Sequence, residues 1–161
     1  MAHDYDLVVI GSGPAGQRAA IAAAKLDKKV ALVEHRQVVG GVCINTGTIP
    51  SKTLREAVLH LSGYRERGIY GASYTVKQNI SMQDLLFRTS HVIRHEIDVT
   101  RHQLMRNRIE MFEASAGFVD ANTVRMTNLN GKGHRDVSAG AVVIACGTHA
   151  TKDAQIGRAH V

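Results

Sequence analysis

The sequence predicts an α/β fold built on a parallel sheet, and three observations carry that reading. Leu7-Val8-Val9-Ile10 is a short, unbroken apolar run of the kind a strand covered on both faces requires. It leads at once into the glycine turn Gly11-Ser12-Gly13-Pro14-Ala15-Gly16 and then into Gln17 to Leu26, an alanine-rich run that favours helix. Val30 to Val33 forms a second apolar run, closed by Glu34. Strand, glycine turn, helix and strand in that order make a βαβ unit of the Rossmann-like kind.

The turn has the chemistry of a dinucleotide site. Gly11 permits the tight turn, Gly13 removes a side chain so that a pyrophosphate can approach the backbone, and Gly16 lets the helix lie close to the strand. Pro14 suits the first helical turn, where its missing donor costs nothing. The helix then points free N–H groups and a positive dipole end at the phosphates. Glu34 ends the second strand roughly 20 residues past the turn, where an acid accepts hydrogen bonds from an adenosine ribose. The competing reading is a glycine turn that binds nothing.

Length and composition narrow the classes. The chain has 161 residues, enough for one domain or part of a larger protein. No apolar run approaches the roughly 20 residues of a membrane span, and the first strand begins almost at residue 1 with no signal peptide before it, which leads us to expect a cytoplasmic protein with no membrane partner. The formal charge of +6 is spread along the sequence, with three Phe and four Tyr for base stacking, so a solvated basic surface is favoured over a nucleic-acid partner. Nine histidines suggest metal, yet between His91 and His95 the residue Val92 stands where a zinc protease has its Glu, and no metal site is expected. Cys43 and Cys146 fit no disulfide framework or zinc spacing.

The segment after the second strand runs His35-Arg36-Gln37-Val38-Val39-Gly40-Gly41-Val42-Cys43-Ile44-Asn45-Thr46-Gly47-Thr48-Ile49-Pro50-Ser51-Lys52. Four glycines among small and polar residues make a backbone that can press against a flat ligand. Here the sequence resembles the flavoprotein pyridine nucleotide disulfide oxidoreductases, such as dihydrolipoamide dehydrogenase and glutathione reductase, over nearly all of residues 4–148. The resemblance implies a glutathione reductase-like FAD-binding domain, truncated, with a small antiparallel β-meander beside the parallel sheet. It implies that FAD lies along Gly11, Ser12, Gly13, Pro14, Ala15, Gly16, Glu34, His35, Arg36, Gly40, Gly41, Val42, Cys43, Thr46 and Lys52, and against Ala116, Cys146, Gly147 and Thr148.

One departure separates this chain from the disulfide reductases. Their segment carries two cysteines with four residues between them; Cys43 matches the first, but Thr48 occupies the second. A threonine hydroxyl neither ionises near neutral pH nor forms a disulfide, so electrons cannot pass to a dithiol here. Gly47 to Lys52, followed by Leu54-Arg55 and Ala57-Val58, resembles the soluble pyridine nucleotide transhydrogenases, family members with the same loss. That resemblance implies Si-specific hydride transfer between NADPH and NAD+ through FAD, by a homo-oligomer, and places the Lys52 ammonium near the flavin N5 edge. The alternatives are another flavin reductase lacking the redox disulfide and a non-catalytic nucleotide-binding module. Cys43 and Cys146 are expected to be free thiols, and the nicotinamide-binding domain is expected to lie outside this chain.

Further elements follow from periodicity and turn chemistry. Pro50 opens a helix to about Tyr64 with Leu54, Val58 and Leu61 on one face, and residues 65–80 read as a loop. Met82, Leu86, Ile93, Ile97 and Leu104 predict one long helix from Ser81 to about Asn107, with Ser81 and Asp84 as a capping box. Arg108 to Phe112 reads as a third parallel strand beside the first. Phe118-Val119, Thr123 to Met126 and a segment near Val137 read as the meander, and Ala141 to Cys146 as a buried strand. Residues 1–148 are thus the N-terminal part of an FAD-binding domain. Ile156-Gly157-Arg158-Ala159-His160-Val161 is the translation of part of a common sequencing adapter, so 149–161 are expected to be a non-native tail.

Overall fold

The computed structural model describes residues 3–148, and the expected tail at 149–161 lies outside them. The elements are β1 (Tyr5–Ile10), α1 (Pro14–Ala24), β2 (Val30–Glu34), α2 (Gly41–Asn45), α3 (Thr48–Leu61), α4 (Arg67–Tyr70), α5 (Met82–Arg106), β3 (Glu110–Phe118), β4 (Thr123–Asn128) and β5 (His134–Ile144). Parallel pairing runs β3-β2-β1-β5, with Val9 opposite Leu32 on one side and Val143 on the other. Beyond Glu113, β3 leaves this sheet and pairs antiparallel with β4, which pairs in turn with the first half of β5. The five strands therefore close into a ring in which β3 and β5 belong to both layers.

The two faces of the parallel sheet explain its unbroken apolar runs. Ala31 and Val33 of β2 turn toward the meander, where they meet Tyr5, Val8, Ala114, Val124, Met126, Val137 and Ala139. Val30 and Leu32, one residue out of phase, turn toward the helices and pack with Val9, Ala20, Val39, Leu104 and Ile109. Alternate residues thus serve alternate cores, so no polar position is tolerated along β2 until Glu34. At the opposite end of the sheet the Tyr5 hydroxyl donates to Glu110 Oε2 at 2.6 Å, giving its buried ring a satisfied polar tip.

The expected parallel sheet with a small meander is present, and several boundaries differ. The third strand lies beside β2, with Leu32 opposite Met111, and not beside β1, whose second edge is taken by β5. It runs unbroken from Glu110 to Phe118, where sequence patterning gives two pieces, because the chain changes partner without leaving extended backbone. For the same reason the segment near Val137 and the run from Ala141 form one strand, which stops at Ile144 and leaves Cys146 outside it. That last stretch is not buried: Ile144 is 63% exposed, since residues 139–144 pair with β1 and, among the described residues, with no strand on the other side.

The helices follow expectation with shifted faces. On α3 the buried residue is Ala57, while Val58 is 42% exposed. On α5 the Ser81–Asp84 capping box forms, but Met82 and Leu86 are exposed and the buried residues are Thr89, Thr100 and Leu104. Ile97 and Leu104, in the C-terminal part of α5, pack with the helix-side core of the sheet, and α5 also packs against α3. The region 65–80, expected as a loop, contains the four-residue α4, and α2 forms inside the glycine-rich segment. No described helix is long and apolar enough to cross a membrane.

A candidate dinucleotide site at the carboxyl end of the sheet

Four backbone segments converge where β1, β2 and β5 end. The turn after β1 is held by Gly11, whose φ of +102° suits only glycine, and a Cβ there would overlap the Ala145 carbonyl and lie 3.1 Å from Cys146 Cα. The Ala145 amide donates to the Ile10 carbonyl at 2.8 Å, fixing the end of β5 against the turn. A Cβ on Gly16 would overlap the Gly11 carbonyl and approach Val9 Cγ1 to 3.3 Å, so the close approach of α1 to β1 needs glycine. Gly13 is different: a Cβ there would meet nothing within 4 Å.

That open face is where a phosphate group fits. Gly13 caps α1 without a side-chain partner, Pro14 follows it, and the first turn holds no acidic residue. The positive end of the helix is therefore not neutralised by the protein. Gly41 closes the other side, with a φ of +60° and a Cβ position only 2.9 Å from Gly13 Cα. The two segments touch as glycine against glycine, leaving room in front of both.

Glu34 lies beside this opening and is 6% exposed. Its Oε2 accepts from the Ser12 amide at 2.9 Å and the Ser12 hydroxyl at 2.6 Å, and its Oε1 accepts from the Arg36 amide at 2.9 Å. Burial pushes its pKa up, but the donors on Ser12 and Arg36, with the nearby His35 imidazole, outweigh that and hold it below the ordinary range. His35 Nδ1 sits 3.1 Å from Oε1 on a side chain that is 62% exposed. A ribose hydroxyl approaching Oε1 would share that oxygen with the Arg36 amide and compete there with a surface imidazole. Arg36 contributes its backbone here.

The glycine-rich segment continues the surface. Gly40, at φ +107°, caps α2 and donates to both the Ser12 carbonyl and hydroxyl at 3.1 Å. Asn45 Nδ2 donates to Val39 and Gly41 carbonyls at 3.0 and 2.9 Å, pinning α2; sequence reading passed over this residue, whose signal was a lone amide inside a glycine-rich run. Cys43 is half-buried on α2, Val42 and Thr46 are exposed, and both Cys43 and Cys146 are free thiols. Thr48 and Lys52 stand four residues apart on one exposed face at the start of α3. Cys146, Gly147 and Thr148 are exposed at the end of β5, next to Gly11.

Ala116 stands somewhat apart. Glu34 is in register with Glu113, so Ala116 lies three residues further along β3, half-buried and paired with Met126. His91 and His95 are exposed on α5, and among the described residues no three His, Cys, Asp or Glu side chains are grouped to hold a metal ion. A partly open pocket of about 250 Å³, lined by Glu56 and His60 of α3, by Tyr74, and by Arg88 of α5 among others, shares no residue with the glycine turn.

A parallel sheet with a glycine turn, an uncapped helix N-terminus and an acid at the end of the second strand defines a dinucleotide-binding α/β protein. Residues 5–157 match the sequence profile of the pyridine nucleotide-disulphide oxidoreductases, and the chain belongs to that family. It is 54% identical over 145 residues to a soluble pyridine nucleotide transhydrogenase of Mycobacterium tuberculosis, covering 90% of this chain and 31% of that protein. A protein of the same name from Colwellia psychrerythraea is 39% identical over the same coverage. Among solved structures, the Cu(II) complex of the HOCl-induced flavoprotein disulfide reductase RclA from Escherichia coli superposes with a TM-score of 0.76 at 25% identity, over 96% of this chain and 31% of that one. The chain spans about a third of the length of these relatives.

Proposed function

We propose that this chain is the FAD-binding portion of a soluble pyridine nucleotide transhydrogenase, which converts NADPH and NAD+ to NADP+ and NADH. The observation that carries the reading is Thr48: it opens α3 where the disulfide reductases have their second redox cysteine, and Cys43 is left a free thiol. Together with 54% identity to proteins named as transhydrogenases, this favours hydride exchange between nicotinamides over dithiol chemistry. The protein acts in the cytoplasm as a homo-oligomer, and its nicotinamides bind to parts beyond this chain.

The open face of Gly13 and the start of α1, without an acidic residue in its first turn, support a fit of these residues to FAD. When bound, FAD supplies reversible acceptance of a hydride. The chain's own residues bind and orient it. The amides of Ala15 and Gly16 would hold the pyrophosphate and the Glu34 carboxylate would accept from the adenosine ribose, with His35, Arg36 and Ala116 on the side of the adenosine half. Gly40 to Thr46 supply a side-chain-poor surface along the ligand, and Cys146 to Thr148 border its other edge. Lys52, exposed on α3, brings a positive charge that stabilises negative charge at the far end of the ligand.

The test is purification of the full-length parent protein. A flavin absorption spectrum, and transfer of hydride from NADPH to a nicotinamide analogue without any dithiol, are expected. A colourless protein that binds NAD at this turn and not FAD would overturn the reading.

A further inference from the structure

Ser12 is fully buried and is the only polar side chain in the glycine turn. Its hydroxyl has one proton and two lone pairs. The proton goes to Glu34 Oε2 at 2.6 Å, and the oxygen accepts the Gly40 amide at 3.1 Å. The Ser12 amide donates to the same Oε2, and its carbonyl accepts from Gln17 Nε2 at 2.7 Å and from Gly40. One residue therefore joins the β1–α1 turn, the end of β2 and the start of α2.

Resting on the dinucleotide reading above, we propose that Ser12 is a positioning residue for the adenosine diphosphate half of the ligand, its hydroxyl locking the Glu34 carboxylate and the Gly40–Gly41 backbone into one unit around Gly13. Glu34 ends a strand, where the Ser12 and Arg36 amides also hold it, and Gly40 follows the exposed residues 35–38 and the buried Val39. The Ser12 hydroxyl is the side-chain group that bonds to both. The hydroxyl gives Oε2 a second donor, which keeps Oε2 on the glycine turn and leaves Oε1 to the Arg36 amide and the exposed His35. It also fixes the distance between Gly41 and Gly13, which sets the width of the phosphate cradle.

The unit also governs the charge of Glu34. The titratable and charged groups around that carboxylate are His35 and Arg36 next along the chain and Glu113 in register on β3; the turn from Gly11 to Gly16 brings none. Without the Ser12 hydroxyl, burial opposes ionisation with fewer donors against it, and the carboxyl titrates at higher pH.

The test uses this chain and ADP as the probe. Ser12→Ala is expected to weaken ADP binding tenfold or more, to move the acid limb of ADP affinity to higher pH, and, without ligand, to raise the Glu34 carboxyl titration seen by NMR and speed exchange of the Gly40 amide at least tenfold. Ser12→Cys keeps the volume with a weak donor and is expected to behave alike, which covers the case in which the alanine variant does not fold. In a cycle with Glu34→Gln the double variant is expected to lose less affinity than the product of the single losses. Unchanged Glu34 titration and Gly40 exchange would overturn the proposal, as would multiplicative losses in the cycle. Failure of the unsubstituted chain to bind ADP at any pH, with the ligand-free readouts moving as expected, would instead bring down the dinucleotide reading and with it the ligand role of Ser12.

Discussion

Two glycines two residues apart separate folding from binding. At Gly11 an alanine would adopt φ +102° and overlap the Ala145 carbonyl, so Gly11→Ala is expected to cost upward of about 3 kcal/mol of stability. At Gly13, φ is −66° and nothing stands within 4 Å, so Gly13→Ala is expected to leave stability within about 0.5 kcal/mol while placing a methyl where the phosphate fits. Denaturant melts and FAD titrations of the two variants check this; equal loss of stability would contradict it. The roles of Gly11, Gly13 and Gly16 were legible in the sequence because each is a local backbone requirement. The Ser12–Glu34 contact was not: it joins residues 22 apart, and nothing in either residue type signals the other.

At the scale of the elements, the structure makes α5 begin sharply. Ser81 accepts from the Asp84 amide, the Asp84 carboxylate accepts from Ser81, and Lys77 Nζ sits 2.6 Å from Asp84 Oδ1. The hydrogen bond from Lys77, then those from Ser81, draw the Asp84 pKa down to about 2. A carboxyl whose folded pKa is depressed contributes stability above its unfolded value, and that contribution is lost as pH falls from the ordinary carboxyl range through about 2. Ser81→Ala is expected to cost about 1 kcal/mol and to speed amide exchange in the first turn of α5, leaving FAD binding unchanged. The cap was legible because capping is written in adjacent residues. The fates of β3 and β5 were not, because a change of partner in mid-strand leaves no mark on local alternation; only the pairing of Glu113 with Glu34 and of Ala114 with Asn128 reveals it.

For the whole molecule, the parallel sheet brings the glycine turn, Glu34 and the end of β5 together at one end, and β5 is one of its two outer strands. β5 carries Val142 and Val143 half-buried and Ile144 exposed, with its outer side unpaired among the described residues. A strand edge of this kind is a template for pairing with another segment. The described residues hold one glycine turn of the dinucleotide type, at Gly11 to Gly16, and under the proposed function it serves FAD. Hydride transfer needs a nicotinamide held against the flavin, and that positioning accounts for a large part of the barrier reduction, about 7–11 kcal/mol in well-oriented reactions. This chain by itself is therefore expected to bind FAD more weakly than the full-length parent and to transfer no measurable hydride from NADPH to a nicotinamide analogue. Titrating FAD into both and assaying both at equal flavin loading checks it. Turnover by the short chain within tenfold of the parent would mean that residues 1–161 already hold a nicotinamide, and the open face beside Gly13 would then have to serve both ligands.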